Sequence, residues 1–332
     1  MQKIDASSIQ NSFLDRVKSI LPPNTSLAQA LSEKLGISLD SAYRRIRGET
    51  PISLSEAYIL AEALHITFNG LTEESAGIVQ FGYTPLYPRK ESMEGYLTRL
   101  LHNLRMISKQ PTAKVVYCSQ DIPIFHNIRL EELGKFKLFY WMRSIINVEE
   151  FLSQKFSKDV IPEHLMQLCA EIYSEYEKIA SVELWSESTV NSTLRQVQYY
   201  WESGLFETDD DFFSVIQNLR TLIQQIEESA SLGKKTSSEN SASYELYISE
   251  IELTTNCALV ELENQNAVFL GHHTFNMLET THGVYTEQTQ QWFKNMVGKA
   301  TLVSSVGEKY RYQFFHGVHR KIDELERLAL RR

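Results

Sequence analysis

Residues Leu27–Leu64 read LAQALSEKLGISLDSAYRRIRGETPISLSEAYILAEAL, and their apolar spacing decides the N-terminal fold. Leu27, Leu31 and Leu35 recur at four-residue steps and predict a helix over residues 26–35. Gly36 stands where a left-handed C-terminal cap is wanted. Ser38 then N-caps a helix running through Ile46, which turns Ala42 and Ile46 inward, and Gly48 ends it. Ser53 with Glu56 makes a capping box ahead of Ala57, Leu60, Ala61 and Leu64. Upstream, Ile9, Phe13, Val17 and Ile20 mark one face of a first helix that Pro22-Pro23 stops. Short helices in this density predict a compact helical module over residues 1–75.

The arrangement resembles the helix-turn-helix of the Cro and phage-repressor family. The resemblance rests on Ser32 as a small inner residue, Gly36-Ile37-Ser38 as the turn, Arg47-Gly48 as the closing pair and Ile52-Ser53-Leu54 as the next opening. It implies that the helix after the turn enters the major groove of double-stranded DNA from its first turns. Ser38, Asp40, Ser41, Tyr43, Arg44, Arg45 and Arg47 are then the candidate contacts, arginine being able to pair bidentately with guanine. The polar residue that usually opens the family's preceding helix is Ala28 here, which shifts the expected phosphate contacts to Thr25, Ser26 and Gln29. Plainer readings stand beside these. Asp40 is also what the helix macrodipole favours near an N-terminus, Tyr43 suits packing or a phosphate, and the arginines suit a solvated basic face.

Beyond the module, residues 76–91 hold two glycines, two prolines and no helical period, which predicts a connector. Residues 92–228 read as a helical middle domain for dimerisation or sensing, with one short extended piece at Lys114–Cys118 and helices near 162–180 and 187–202. Its most regular stripe, Phe212, Val215, Leu219, Leu222 and Ile226, is equally a dimer contact or an internal core helix. The aromatics Phe136, Phe139, Tyr140, Trp141, Tyr199, Tyr200 and Trp201 read as core packing, with a ligand pocket as the alternative. Residues 229–243 are small and polar throughout and read as a flexible linker. Alternating apolar residues follow in 244–332, with a hairpin around Asn264–Asn266 and two helices, predicting a small α+β domain. The fold class expected is therefore multidomain and mainly α. The order is helix-turn-helix bundle, helical middle and small α+β C-terminal domain.

The whole chain has 332 residues, 42% of them hydrophobic, so a sizeable core can form. Its net charge of −9 is unusual for a nucleic-acid binder, but steering depends on where charge sits. Neither a signal sequence nor a long apolar run is evident, and Cys118, Cys169 and Cys257 are too scattered for a disulfide framework or zinc site. A reduced, cytoplasmic protein without cofactor, metal or membrane partner is expected. Gly233-Lys234-Lys235-Thr236 lacks the first glycine and the hydroxyl position of a phosphate-binding loop. His272-His273 and His316 with His319 lack companion ligands, and no G-x-S-x-G occurs, so no enzyme is expected. The segments Asp121–Phe125, Ser192–Phe206 and Thr301–Phe315 follow an order similar to that of long bacterial one-component regulators carrying the same module. The resulting expectation is a bacterial, sequence-specific DNA-binding regulator, homodimeric, with a small-molecule or protein effector. The alternative is a protein-interaction adaptor whose helix-turn-helix does not bind DNA.

Overall fold

The computed structural model describes residues 6–21, 25–64, 78–263 and 265–330. The helix stop expected at Pro22-Pro23, the start of the connector at Ala76 and Asn264 of the expected hairpin turn lie outside the described residues, as does the Ile20 side chain. The chain divides into two compact units, Met1–Gln80 and Phe81–Arg332.

Unit 1 is built from α1 (Ala6–Ile20), α2 (Leu27–Leu35), α3 (Leu39–Ile46) and α4 (Leu54–Leu64). Its core joins Phe13, Leu14 and Val17 of α1 to Ala28 and Leu31, to Ala42, and to Leu60 and Ala61. Ser26 caps α2 in a box with Gln29, and Gly36 ends it at φ +65°, a conformation in which a side chain would be strained. The Ser32 hydroxyl donates to the Ile37 carbonyl at 2.6 Å, so this small residue ties down the turn.

Unit 2 follows with α5 (Lys90–Ser108), β1 (Lys114–Cys118), α6 (Ile124–Asn127), α7 (Glu131–Tyr140), α8 (Glu149–Leu152), α9 (Glu163–Glu177), β2 (Ala180–Ser186), α10 (Asn191–Glu202) and α11 (Asp209–Leu232). Then come β3 (Tyr244–Ser249), β4 (Cys257–Glu261), β5 (Ala267–His272), β6 (Asn276–Thr280), α12 (Gly283–Val297), β7 (Thr301–Leu302) and α13 (Glu308–Ala329). A π-helical turn, Trp141–Ile145, extends α7. The seven strands form one mixed sheet in the order β6-β5-β4-β1-β2-β3-β7. β1, β2 and β3 are parallel, and every other pairing is antiparallel.

This sheet overturns the expected fold class. Helices make up 55% of the described residues, but the strands of 114–186 and those of 244–302 interleave, so unit 2 is an α/β fold and not a helical domain beside a small α+β one. The strand that joins the two regions is β2. It sits between β1 and β3 and is buried on both faces, as a central parallel strand must be. Val115 and Tyr117 of β1 face the large helical layer, whereas Val116 and Cys118 face the smaller cluster that includes Phe293 of α12. The three cysteines are buried and unpaired, and burial pushes each thiol up to about 12.

Two further expectations are corrected here. The stripe Phe212, Val215, Leu219, Leu222, Ile226 is at most 1% exposed and lies inside the unit 2 core, so it offers no dimer surface. In the segment expected as a flexible linker, α11 ends at Gly233, and Lys235, 5% exposed, inserts its amine beneath the sheet.

That amine belongs to a buried ionic centre around Glu183 of β2, which has no solvent exposure. The Glu183 carboxylate accepts from the Tyr176 hydroxyl at 2.6 Å, the Trp185 indole at 2.9 Å and the Tyr244 hydroxyl at 3.2 Å. His126 Nε2 lies 2.7 Å from it, and Lys235 Nζ donates to the Tyr176 carbonyl at 3.0 Å. Burial works to raise the Glu183 pKa, but the charge and hydrogen bond of His126, the Tyr176 hydroxyl and Lys235 outweigh it and hold the group at about 2. A carboxylate depressed from an ordinary 4.5 to about 2 stabilises the fold above pH 4.5 and loses that contribution as pH falls to 2. Acid titration followed by circular dichroism should therefore show unit 2 losing about 3 kcal/mol across that window. Lys235 works in the opposite range. Burial lowers its amine to about 7, so this group makes stability rise with pH from 7 toward 10.5, a slope that K235M should remove in urea melts.

Candidate nucleic-acid interface

The short helix α3 owes its shape to its ends. Ser38 sits at φ −68° and ψ 155° outside the helix, and its hydroxyl accepts the Ser41 amide at 3.2 Å. The Ser41 hydroxyl in turn lies 3.0 Å from that of Ser38. Beyond Ile46 the chain leaves through Gly48 at φ +75°. The loop after α3 is fixed from α1 by Gln10, whose amide donates to the carbonyls of Arg45 at 2.8 Å and Thr50 at 3.1 Å and accepts the Ile52 amide at 2.9 Å. A single glutamine thus ties three backbone groups of the turn to α1, although the Arg45 carbonyl also accepts the Gly48 amide at 3.1 Å.

The candidate contact residues separate into distinct groups. Asp40, Tyr43, Arg44 and Arg47 are exposed together on α3 and its C-terminal turn. Ser38 and Ser41 form the cap, Ser38 exposed and Ser41 half-buried. Thr25, Ser26 and Gln29 are exposed at the start of α2, where Ser26 and Gln29 are engaged with each other at 3.1 and 3.2 Å in their capping box.

Arg45 departs from the outward position expected of it. Its guanidinium grips Glu56 of α4 through Nη2–Oε1 at 2.6 Å and Nε–Oε2 at 3.3 Å, and it donates to the Ser41 carbonyl at 3.1 Å. The side chains are only 15% and 20% exposed, so this is an internal strut between α3 and α4 and not a free reading group. The hydrogen bond from Arg45, aided by the Ser53 amide, holds the Glu56 carboxyl below its usual range. Replacement R45A should destabilise unit 1 by about 2 kcal/mol in thermal melts, because a charge-assisted pair is lost and Glu56 is left half-buried. R45K should recover only part of it, since a lysine cannot reproduce the fork.

The electrostatics of the face are mixed. Arg47 donates to Glu49 at 2.7 and 3.1 Å, and this hydrogen bond holds the Glu49 carboxyl below its usual range. Arg44 is 56% exposed and lies 3.9 Å from Glu49, too far for a hydrogen bond. Its guanidinium makes no hydrogen bond among the described residues. Leu39 and Tyr43, each 49% exposed, complete the same outward surface. Residues 1–75 contain nine acids and seven bases, so any positive reading surface is local to this face.

Sequence reasoning missed Gln10 and Glu49, and it missed one of the two roles of Glu56. Gln10 falls on the buried side of α1 three and four residues before Phe13 and Leu14, where a polar residue signals a specific partner. Glu56 was legible as a cap, but its second engagement with Arg45 required the tertiary crossing of α3 and α4. Among the described residues no helix is long and apolar enough to cross a membrane. No protein-family model, curated protein or solved structure matches the chain.

Proposed function

We propose that the protein is a sequence-specific, DNA-binding transcription regulator of the one-component type that reads double-stranded DNA with α3. The observation that carries this reading is the state of Arg44. On a short, capped helix braced by Gln10 and by the Arg45–Glu56 strut, it is, of Arg44, Arg45 and Arg47, the arginine without a hydrogen bond among the described residues. A rigid element presenting a guanidinium whose charged neighbour, Glu49, stands 3.9 Å away and beyond hydrogen-bond distance suits bidentate pairing with a guanine edge. Asp40, one turn earlier on the helix, could accept from a cytosine amine, and Tyr43 could reach a phosphate. Few bases surround this face, so one copy binds weakly, and the regulator acts as a homodimer on two half-sites. Its effector is a small molecule or a protein, and three unpaired cysteines accord with a cytoplasmic setting.

One observation favours a second reading, an adaptor that uses this surface to hold another protein. Leu39 and Tyr43 expose half their surface on the same face, and Arg47 is already paired with Glu49. Salt dependence separates the two. A DNA reader should lose affinity for genomic fragments steeply as salt rises, by counterion release, and R44A should lose most of its preference for one fragment. Binding to DNA that is absent at low salt, or that is indifferent to R44A, would favour the adaptor.

A further inference from the structure

A second feature lies in unit 2, at the carboxyl end of β1. From β1 the chain proceeds through helices to β2 on one side, whereas β4 lies on the other side of β1, so the strand order diverges at this point. Crevices of open α/β sheets form at such divergences, outside the carboxyl ends of the parallel strands. A pocket is present there, about 20 Å³ in its interior, lined by the end of β1, α6, the turn between β5 and β6, and Trp141.

Four observations distinguish it from an ordinary packing gap. Asn127 is 1% exposed and lines the pocket; its Nδ2 donates to the Ile122 carbonyl at 2.8 Å, while its Oδ1, fully buried, has no partner. Leaving such an acceptor bare is costly, and a donor entering the pocket would remove that cost. Asn256, on the opposite wall, uses its Oδ1 to accept the amides of Gln120 at 2.9 Å and Asp121 at 3.2 Å, and its Nδ2 makes no hydrogen bond among the described residues. Thr274, a β-branched residue on the pocket wall, is held at φ +74°, and backbone strain of this kind gathers at ligand sites. Finally, Asp121 is backed by a fully buried amine: Lys137 Nζ lies 3.3 Å from its Oδ2 and donates to Thr193 at 3.0 Å and Gln196 at 2.9 Å. This pair cancels charge at the pocket floor. The remaining wall combines Tyr117 and Asn276 with an apolar side, where Trp141 stacks on Phe275 at 4.8 Å and Met277 also lines the pocket.

We propose that this pocket takes the head group of a small neutral organic ligand, whose hydroxyl or amide N–H donates to Asn127 Oδ1 while the rest of the ligand leaves the pocket past the half-buried Met277. The neutral class follows from the compensated Asp121–Lys137 pair, and the head-group size from the interior, which holds about one water-sized group. The site stands on unit 2 alone and does not depend on how α3 is used.

The test uses the full chain with labelled methionine and isoleucine methyl groups, titrated with acetamide and with 1,2-propanediol. Methylammonium and acetate serve as charged counterparts. Saturable shifts of the Met277 and Ile124 methyls are expected with the neutral probes, and N127L should weaken them about tenfold or more. M277F fills the mouth without touching a polar group and should weaken binding as well, which guards against misfolding of N127L. The proposal is overturned if no probe gives saturable shifts, leaving a resident water only. It is equally overturned if a charged probe binds better than both neutral ones, or if both variants bind the neutral probes as the unaltered protein does.

Discussion

Replacing Glu183 by leucine should destabilise unit 2 by about 3–5 kcal/mol, the scale on which breaking a buried ionic network falls. The side chain is fully buried and serves four partners: Tyr176, Trp185, Tyr244 and His126. Leucine leaves two hydroxyls and an indole N–H without an acceptor and removes the counter-charge for Lys235. In a unit of this size the loss should lower the melting temperature by about 10 °C. E183Q keeps an acceptor in place and should cost clearly less. Its stability should also fall less than that of the unaltered protein between pH 4.5 and 2, because the contribution of Glu183 to that loss is gone. Calorimetry of both variants at neutral and acid pH checks the two statements together. A leucine variant as stable as the unaltered protein would show that the ionic centre contributes nothing net.

The second large effect concerns binding and leaves stability alone. R44A should reduce affinity for a preferred DNA fragment about tenfold to a hundredfold per bound copy, the range of one good bidentate contact to guanine. Its melting temperature should match that of the unaltered chain, since the Arg44 side chain is 56% exposed and makes no hydrogen bond among the described residues. R45A should show the reverse order, losing stability first and binding only as a consequence, because its side chain braces α4. Measuring melting and fragment affinity for both variants separates a reading group from a strut. Equal affinity losses with equal stability losses would place both arginines in the scaffold.

The contrast between these neighbours shows what the sequence could and could not convey. Local signals resolved unit 1 well. Gly36, Ser38 and Ser53 act through neighbours a few residues away, and their caps are where those short-range rules place them, whereas Ser26, read as a phosphate contact, caps α2. Arg45 and Gln10 act across 11 to 42 residues, and no periodicity encodes which face of α3 meets Glu56. In unit 2 the strands missed outright were β6 and, with more consequence for the fold, β2. Its run of Val182, Glu183, Leu184 and Trp185 carries an acid where a central strand should be apolar, and that acid is tolerated only because distant groups converge on it. Lys235 misled in the same way. In a run of serines it reads as linker, yet burial of one amine anchors that loop to the core. The pocket at β1 was invisible for a related reason, since its walls come from four separate parts of the chain.

The central claim is that α3 reads DNA sequence, and one measurement tests it most directly. The full chain is incubated with fragmented bacterial genomic DNA at moderate salt, bound fragments are recovered through successive rounds, and the enriched sequences are compared with those from R44A. The account predicts one enriched motif made of two half-sites about one helical turn apart, with a guanine position that loses its preference in R44A. Failure to enrich any motif, or enrichment of the same motif with the same guanine preference by R44A, would contradict it.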